Sequence, residues 1–168
     1  MLVAIYQASV DSGRVPSKWK HANVCSVYKN GGKSNPANYR PISLTCIASK
    51  VLEHIIHSHI MKHLEQYSIL TDVQHGFRAK RSTVTQLILT IHDMAKTIND
   101  NKSVHAAVLD FSKAFDKVPH KRLIIKLQYY GIRGLLLNWF ESFLTNRSQT
   151  VVCDGKHSDP AQVTSGVP

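Results

Sequence analysis

Two carboxylates lie close to an apolar run in the segment AAVLDFSKAFDKV, residues 106–118. Asp110 follows the apolar residues directly, and Asp116 lies further along the same segment. A strand that ends in a carboxylate can deliver it to Mg²⁺, which prefers oxygen ligands and usually takes one or two carboxylates together with substrate phosphates. The alternative is that Asp110 caps the following turn and faces solvent. The segment by itself leaves both interpretations open.

Two divalent cations together organise an in-line phosphoryl displacement, one at the attacking hydroxyl and the other at the leaving pyrophosphate. The protein contributes mostly positioning and charge neutralisation to such chemistry. A metal-dependent phosphohydrolase would want a second acid at position 112, which is Ser112. Asp116 precedes Pro119, where a carboxylate favours the positive end of a helix, so we predict a structural role for it.

The composition indicates a folded, basic domain. Of its 168 residues, 43% are hydrophobic, which excludes a disordered chain, and the formal net charge is +10. Such a balance favours a polyanionic partner, with nucleic acid as the first expectation and a merely basic surface as the alternative.

The cysteines and the apolar runs indicate the compartment. Cys25, Cys46 and Cys153 are far apart and odd in number, which argues against a disulfide framework or a zinc module. No apolar run is long enough to cross a bilayer, and the first residues do not resemble a signal peptide. We therefore expect no membrane association and an intracellular location, in the nucleus, the cytoplasm or both.

Helical and strand periodicities alternate along the chain. Helices are predicted at residues 2–12, 45–66, 83–99, 119–131 and 135–144. Strands are predicted at residues 22–29 and 103–111, with a hairpin over 149–164 that turns at Asp154-Gly155. Residues 39–44 are predicted to be extended around Pro41. Thr83 and Gln86 have the spacing of a capping box. The layout is α+β or mixed α/β, and because the chain stops directly after a hairpin we expect a fragment of a longer protein.

Four segments together resemble the reverse transcriptases of non-LTR (LINE-type) retrotransposons. They occur in the family's order and are NYRPISL at 38–44, QHGFRAKRST at 74–83, AAVLDFSKAFDKVPH at 106–120 and SGVP at 165–168. The resemblance implies an incomplete right-hand polymerase fold with fingers and part of the palm. It also implies one partial domain over residues 1–168, with the fingers and connecting helices at about 1–100 and the partial palm at about 101–168.

The resemblance assigns the catalytic metal ligands. Asp110 matches the first metal-binding aspartate, and the backbone carbonyl of Phe111 would join it. The complete enzyme would use two Mg²⁺ ions, or Mn²⁺. Phe115 matches the aromatic steric gate, a ring that leaves no room for a ribonucleotide 2′-hydroxyl; the alternative is an ordinary core phenylalanine.

The resemblance also assigns cations to the nucleotide. Lys29 and Arg40 match the fingers cations that hold the triphosphate, where the planar fork of arginine suits phosphate; the alternative for Lys29 is a solvated loop lysine. Arg78 would lie near the nucleotide or template path, or else pin its loop to the palm by hydrogen bonds.

Further family positions fall on the basic loop, HGFRAKRS at residues 75–82, and on the last residues. Lys80 and Arg81 would contact backbone phosphate, unless the cluster is only a solvated loop. Ser165 and Gly166 would begin the loop that lies against template and base.

The expected function is that of an RNA-directed DNA polymerase fragment that works with an RNA template, a DNA primer, a deoxynucleotide and the remainder of its own polyprotein. The remainder would carry the endonuclease, the rest of the palm and the thumb. Because the family's paired-aspartate motif is absent from the chain, we expect no polymerase activity from it. The alternative is a non-catalytic nucleic-acid-binding remnant of a decayed retroelement.

Overall fold

The computed structural model describes residues 1–168. Its five α-helices are α1 Leu2–Ser12, α2 Ile47–Gln66, α3 Thr83–Asn99, α4 His120–Tyr129 and α5 Gly134–Leu144. Its five strands are β1 His21–Tyr28, β2 Tyr39–Leu44, β3 Arg147–Cys153, β4 Lys156–His157 and β5 Ala161–Val163. Helices and a mixed sheet together confirm the predicted α+β class.

The strands form one sheet in the order β2-β1-β3-β4, with β5 also paired to β3. β1 is antiparallel to β2 and parallel to β3. β3 and β4 form the predicted hairpin, in which Asp154 and Gly155 have φ of 48° and 75°. Two positive φ values in a two-residue turn match the twist of the flanking strands.

Local signals account for the helix ends. α1 ends at Gly13, whose φ of 62° is left-handed and accessible to glycine at no steric cost. α3 begins with a capping box, but its members are Ser82 and Thr85 rather than the predicted Thr83 and Gln86. The prediction was one residue late because serine and threonine adjoin there and both cap well.

The apolar core gathers around α5. Trp139 is 1% exposed and Leu144 is 2% exposed. The Trp139 ring stacks on Phe143 at a centroid distance of 5.2 Å, and its indole N–H donates to Ser9 Oγ at 3.0 Å. The buried cluster is completed by side chains from the start of the chain and from α2, namely Val15, Trp19, Leu52 and Ile56.

The predicted strand at 103–111 is wrong: these residues adopt no regular structure and are exposed. Val108 and Leu109 are 94% and 90% exposed. A strand is stable only when a neighbour satisfies its backbone N–H and C=O groups, and every strand of this chain pairs within the sheet described above. Apolar residues with high strand propensity were therefore not sufficient to form a strand at 103–111.

The chain divides into two compact units, one formed by residues 1–60 with 113–168 and the other by residues 61–112. The first holds the whole sheet, with α1, α4 and α5. The second holds α3 and the loops on either side of it. The predicted fingers–palm division near residue 100 stays a prediction. No helix has the length and apolar character needed to span a membrane.

Candidate nucleotide and nucleic-acid site

Two of the predicted triphosphate ligands lie at one end of the β1–β2 hairpin. Arg40 is opposite Val27 in the register, and the Lys29 backbone N–H donates to Asn38 O at 2.9 Å. Both side chains are exposed and neither forms a hydrogen bond or an ion pair within the chain. The structure thus leaves two neighbouring cations available to an external anion.

The connecting loop between β1 and β2 is held by its own hydrogen bonds. Asn38 Nδ2 donates to Gly32 O at 2.9 Å, and the Tyr39 hydroxyl donates to Lys33 O at 2.8 Å. Gly31 has φ of 85°, and a Cβ there would lie 2.5 Å from Asn38 Nδ2. The loop therefore presents Lys29 from an ordered backbone, and Arg40 is held in β2, which lowers the entropic cost of binding a ligand.

Arg78 is the most constrained of the predicted nucleotide ligands. Its Nε and Nη2 donate to the two carboxylate oxygens of Glu65 at 2.9 and 2.6 Å, and its Nη1 donates to Thr71 O at 2.8 Å. The Arg78 side chain is only 7% exposed. All three nitrogens are engaged within unit 61–112, so Arg78 holds its own loop to the end of α2; the predicted contact with the palm and the predicted contact with the nucleotide both stay predictions.

The pairing of Glu65 with Arg78 gives unit 61–112 a pH dependence. The hydrogen bond from Arg78 lowers the pKa of Glu65, and that from Glu65 raises the pKa of Arg78. A carboxyl pKa that is lower in the folded state contributes stability above the unfolded-state pKa, about 4.3. That contribution is lost as the pH falls through the lowered value.

We expect Glu65→Gln to remove this acid-dependent part of the stability of unit 61–112. The quantity to measure is the protection of the backbone amides of α3 and the adjoining loops against hydrogen exchange between pH 7 and pH 3. This protection should fall more steeply towards acid in the wild type than in Glu65→Gln. Asp93→Asn removes a carboxylate without an ion pair and should keep the wild-type profile. Identical profiles for wild type and Glu65→Gln would contradict the assignment.

The basic loop leaves one lysine available. Arg81 donates to the backbone carbonyl of Asp72 and, at 2.9 Å, to its carboxylate. Lys80, by contrast, is exposed and has no partner within the chain. Lys80, Arg81 and His75 are among the residues that line an open depression of about 560 Å³. A depression with a free cation suits a backbone phosphate, which positions a strand without reading its sequence.

Asp110 lies in the exposed, irregular segment described above. Its carboxylate forms no hydrogen bond or ion pair within the chain, and Phe111 beside it is 83% exposed. The carboxylate and the adjacent carbonyl are hard oxygen donors of the kind that Mg²⁺ takes. No group of three or more His, Cys, Asp or Glu side chains is placed to hold a metal ion, so these two donors would have to act with ligands from outside the chain.

The predicted template loop is fastened to the segment that follows Asp110. Ser165 Oγ donates to Asp116 O at 3.0 Å, Gly166 N to Val118 O at 3.0 Å, and Val167 N to Phe115 O at 3.1 Å. Gly166 is buried with φ of 87°, and a Cβ there would lie 2.9 Å from Asp116 Cα. The steric-gate candidate Phe115 and the candidates Ser165 and Gly166 are therefore brought together.

Asp116 takes part in this fastening through its backbone carbonyl, and α4 has no side-chain cap, so the predicted role of the Asp116 carboxylate at the helix start stays a prediction. Its side chain stays exposed.

Sequence reasoning missed two residues near this loop. His120 Nε2 lies 2.7 Å from Gly166 O and adds a fourth link. Arg147, at the start of β3, is 4% exposed. The alternation of β3 carried a signal for Arg147, because an arginine in register with inward-facing positions is unusual.

The strand register shows on which face of the sheet each side chain lies. Ala22 is opposite Gln149, and Val24 is opposite Ser43, so these residues share one face, called here the inner face. Arg40 is one residue before Pro41, which lies on the inner face with Ser43. Because successive side chains of a strand alternate, Arg40 projects from the outer face.

Comparison with known proteins agrees with the motifs. Residues 27–168 match the family described as reverse transcriptase (RNA-dependent DNA polymerase). The chain is 32% identical over 174 aligned residues to the probable RNA-directed DNA polymerase from transposon BS of Drosophila melanogaster. It is 30% identical to the corresponding protein from transposon X-element of the same fly. Both alignments cover 99% of this chain and 18% of the relative.

A more distant relative is the retrovirus-related Pol polyprotein from type-1 retrotransposable element R2 of Popillia japonica. It is 27% identical over 139 residues, covering 83% of this chain and 19% of the relative. The chain thus spans less than a fifth of the length of these relatives. The four motifs, their order and the family match across residues 27–168 lead to one conclusion: the chain belongs to the reverse transcriptase family, and within it resembles the enzymes of non-LTR retrotransposons.

Proposed function

We propose that the chain is the part of a retrotransposon RNA-directed DNA polymerase that holds the RNA template, the DNA primer and the incoming deoxynucleotide. The observation that carries this proposal is the set of unpaired charged side chains at family positions. Asp110, Lys29, Arg40 and Lys80 are exposed and have no partner within the chain. The remainder of the polyprotein would supply the rest of the palm, the thumb and an endonuclease, and the site of action would be intracellular, in the nucleus or cytoplasm.

The donors at Asp110 and Phe111 fit a divalent cation in their chemistry. The Asp110 carboxylate and the Phe111 backbone carbonyl would hold Mg²⁺ or Mn²⁺, which when bound neutralises charge on the reacting phosphate and lowers the pKa of the attacking hydroxyl. An exposed carboxylate pays little desolvation cost before it binds a cation. A second ion would need further carboxylates in the full-length parent.

The remaining residues position the reactants. Lys29 and Arg40 would bind oxygens of the triphosphate, Arg40 through its planar fork. Phe115 would exclude a ribose 2′-hydroxyl, and its backbone position is set by the bond from Val167 N. Positioning and charge neutralisation are the main contributions of a protein to phosphoryl transfer.

Paramagnetic broadening by Mn²⁺ tests the metal assignment without requiring activity. Sub-stoichiometric Mn²⁺ should broaden the backbone amide signals around Asp110 and Phe111 before all others, because relaxation falls steeply with distance. Asp110→Asn should abolish this broadening, whereas Asp116→Asn, a change in a neighbouring exposed carboxylate, should retain it. Broadening that is unaffected by Asp110→Asn would refute the site.

Primer extension tests the predicted inactivity of the chain. One carboxylate cannot hold two cations in catalytic geometry, so incorporation by the recombinant chain should equal that of Asp110→Ala. Robust incorporation above this control would show that the chain holds a complete catalytic site.

A further inference from the structure

A cavity of about 300 Å³ lies on the inner face of the sheet. Its floor is formed by side chains from three strands, among them Ala22 of β1, Ser43 of β2 and Gln149 of β3. Residues 162–168 also line the cavity; Gln162 and Val163 belong to β5 of the same sheet, and residues 164–168 follow that strand. The cavity is on the face of the sheet opposite to Arg40, so it is separate from the predicted triphosphate cations.

Arg147 is the buried charge of this cavity. Its Nη1 donates to Phe143 O at 3.1 Å, and its Cζ lies 4.9 Å from the centre of the Phe143 ring. This is the one hydrogen bond of the Arg147 side chain within the chain, and none of the ion pairs includes Arg147. A guanidinium has five N–H donors, so most side-chain donors of Arg147 have no protein acceptor; because Tyr6 Oη is the one buried side-chain N or O atom without a partner, these Arg147 donors remain open to solvent.

The neighbouring charges do not neutralise the positive charge of Arg147. Burial lowers the pKa of Arg147, and the Glu53 carboxylate offsets this only in part. Burial and the charge of Arg147 also lower the pKa of the nearby Lys20. Asp116 lines the cavity but forms no ion pair with Arg147. Arg147 and Lys20 are therefore two partly desolvated cations near each other, and the Glu53 carboxylate offsets the cost of burying Arg147 only in part.

We propose that the cavity is a phosphate-binding site in which Arg147 is the charged ligand and Gln149 and Thr164 line the remaining surface. A guanidinium with free N–H donors binds phosphate bidentately, and the phosphate oxygens accept the hydrogen bonds for which the protein has no acceptor. The volume exceeds that of a water molecule severalfold and accommodates a phosphate group. The phosphate belongs either to a nucleotide or to a nucleic-acid backbone.

The site shares Ser165 and Gly166 with the predicted template loop and so rests on the proposed function, but it involves neither Asp110 nor the cations Lys29 and Arg40. A negative Mn²⁺ experiment would not contradict the phosphate site, and a negative phosphate titration would not contradict the metal site at Asp110.

Titration with inorganic phosphate at constant ionic strength tests the site. Two-dimensional NMR of the arginine Nε–H signals and of the Gly166 amide should show saturable shifts at Arg147 and Gly166. Sodium chloride alone should not reproduce them. Arg147→Lys keeps the charge but loses the fork, and should bind phosphate about tenfold more weakly. Arg147→Met should not bind it.

Two further variants keep the test decisive if changes at Arg147 impair folding. Asp116→Asn removes a negative charge from the cavity lining and should tighten phosphate binding about two- to fivefold. Arg122→Met removes an exposed arginine of α4 and should leave the titration unchanged. The proposal is overturned if the wild type shows no saturable shift, if Asp116→Asn has no effect, or if Arg122→Met weakens binding as much as Arg147→Lys.

Parallel titrations identify the source of the phosphate. A deoxynucleoside triphosphate that shifts the Arg147 and Gly166 signals at lower concentration than inorganic phosphate would assign the site to a nucleotide. A short single-stranded oligonucleotide that does so would assign it to a nucleic-acid backbone. If both compounds leave these two signals unchanged while binding elsewhere, the site does not serve nucleotide phosphate and the proposal fails.

Discussion

Binding of the chain to an RNA–DNA primer–template is expected to weaken about 40-fold between 50 and 200 mM salt, if Lys29, Arg40 and Lys80 each neutralise one phosphate. Each such contact releases condensed counterions, so the logarithm of affinity falls linearly with the logarithm of salt concentration. These three side chains have no partner within the chain, so binding costs them no existing ion pair. Fluorescence anisotropy with a labelled hybrid measures both the affinity and its slope.

Replacing both hairpin cations should reduce that dependence. Lys29→Ala/Arg40→Ala should lower the salt slope by about 1.8 and weaken binding similarly for every sequence. Lys156→Ala is the matched control, because β4 lies at the edge of the sheet opposite to β2; it should change the slope little. An affinity that barely responds to salt, or an equal effect of the control, would show that the hairpin does not bind the strand.

Trp139→Ala is expected to destabilise the unit formed by residues 1–60 and 113–168 by about 3–5 kcal/mol. The indole is 1% exposed and stacks on Phe143. Truncation removes buried apolar surface, leaves a cavity and deprives Ser9 Oγ of a donor. Because a small domain has a total stability of about 5–15 kcal/mol, the loss is a large fraction. Urea unfolding followed by circular dichroism measures it.

Leu135→Ala is the control on the same helix. Leu135 is 52% exposed, so its truncation should cost less than about 1 kcal/mol. Trp19 remains as the only fluorophore of its type in Trp139→Ala, which gives a second signal for the same transition. Equal losses from the two variants would mean that α5 does not pack through Trp139.

Elements whose causes are local were predictable from the sequence. α1 ends where Gly13 permits a left-handed residue, and α3 spans the predicted residues because its apolar period and its cap lie within a few turns. The β3–β4 hairpin follows from Asp154-Gly155 alone. Each family motif likewise consists of contiguous residues, so the resemblance to reverse transcriptases could be recognised without knowledge of the fold.

Features that depend on distant partners were decided by the tertiary structure. Residues 103–111 have strand-forming composition but no neighbour to pair with, so they stay irregular and Asp110 lies on an exposed segment. The role of Arg78 depends on Glu65, and the burial of Arg147 depends on the parallel pairing of β3 with β1. Composition and period determined which segments can be helices or strands, and the four motifs in their order indicated the family. Pairing and packing decided where each charge lies, because the free energy of a strand or a buried ion resides in contacts with residues far along the chain.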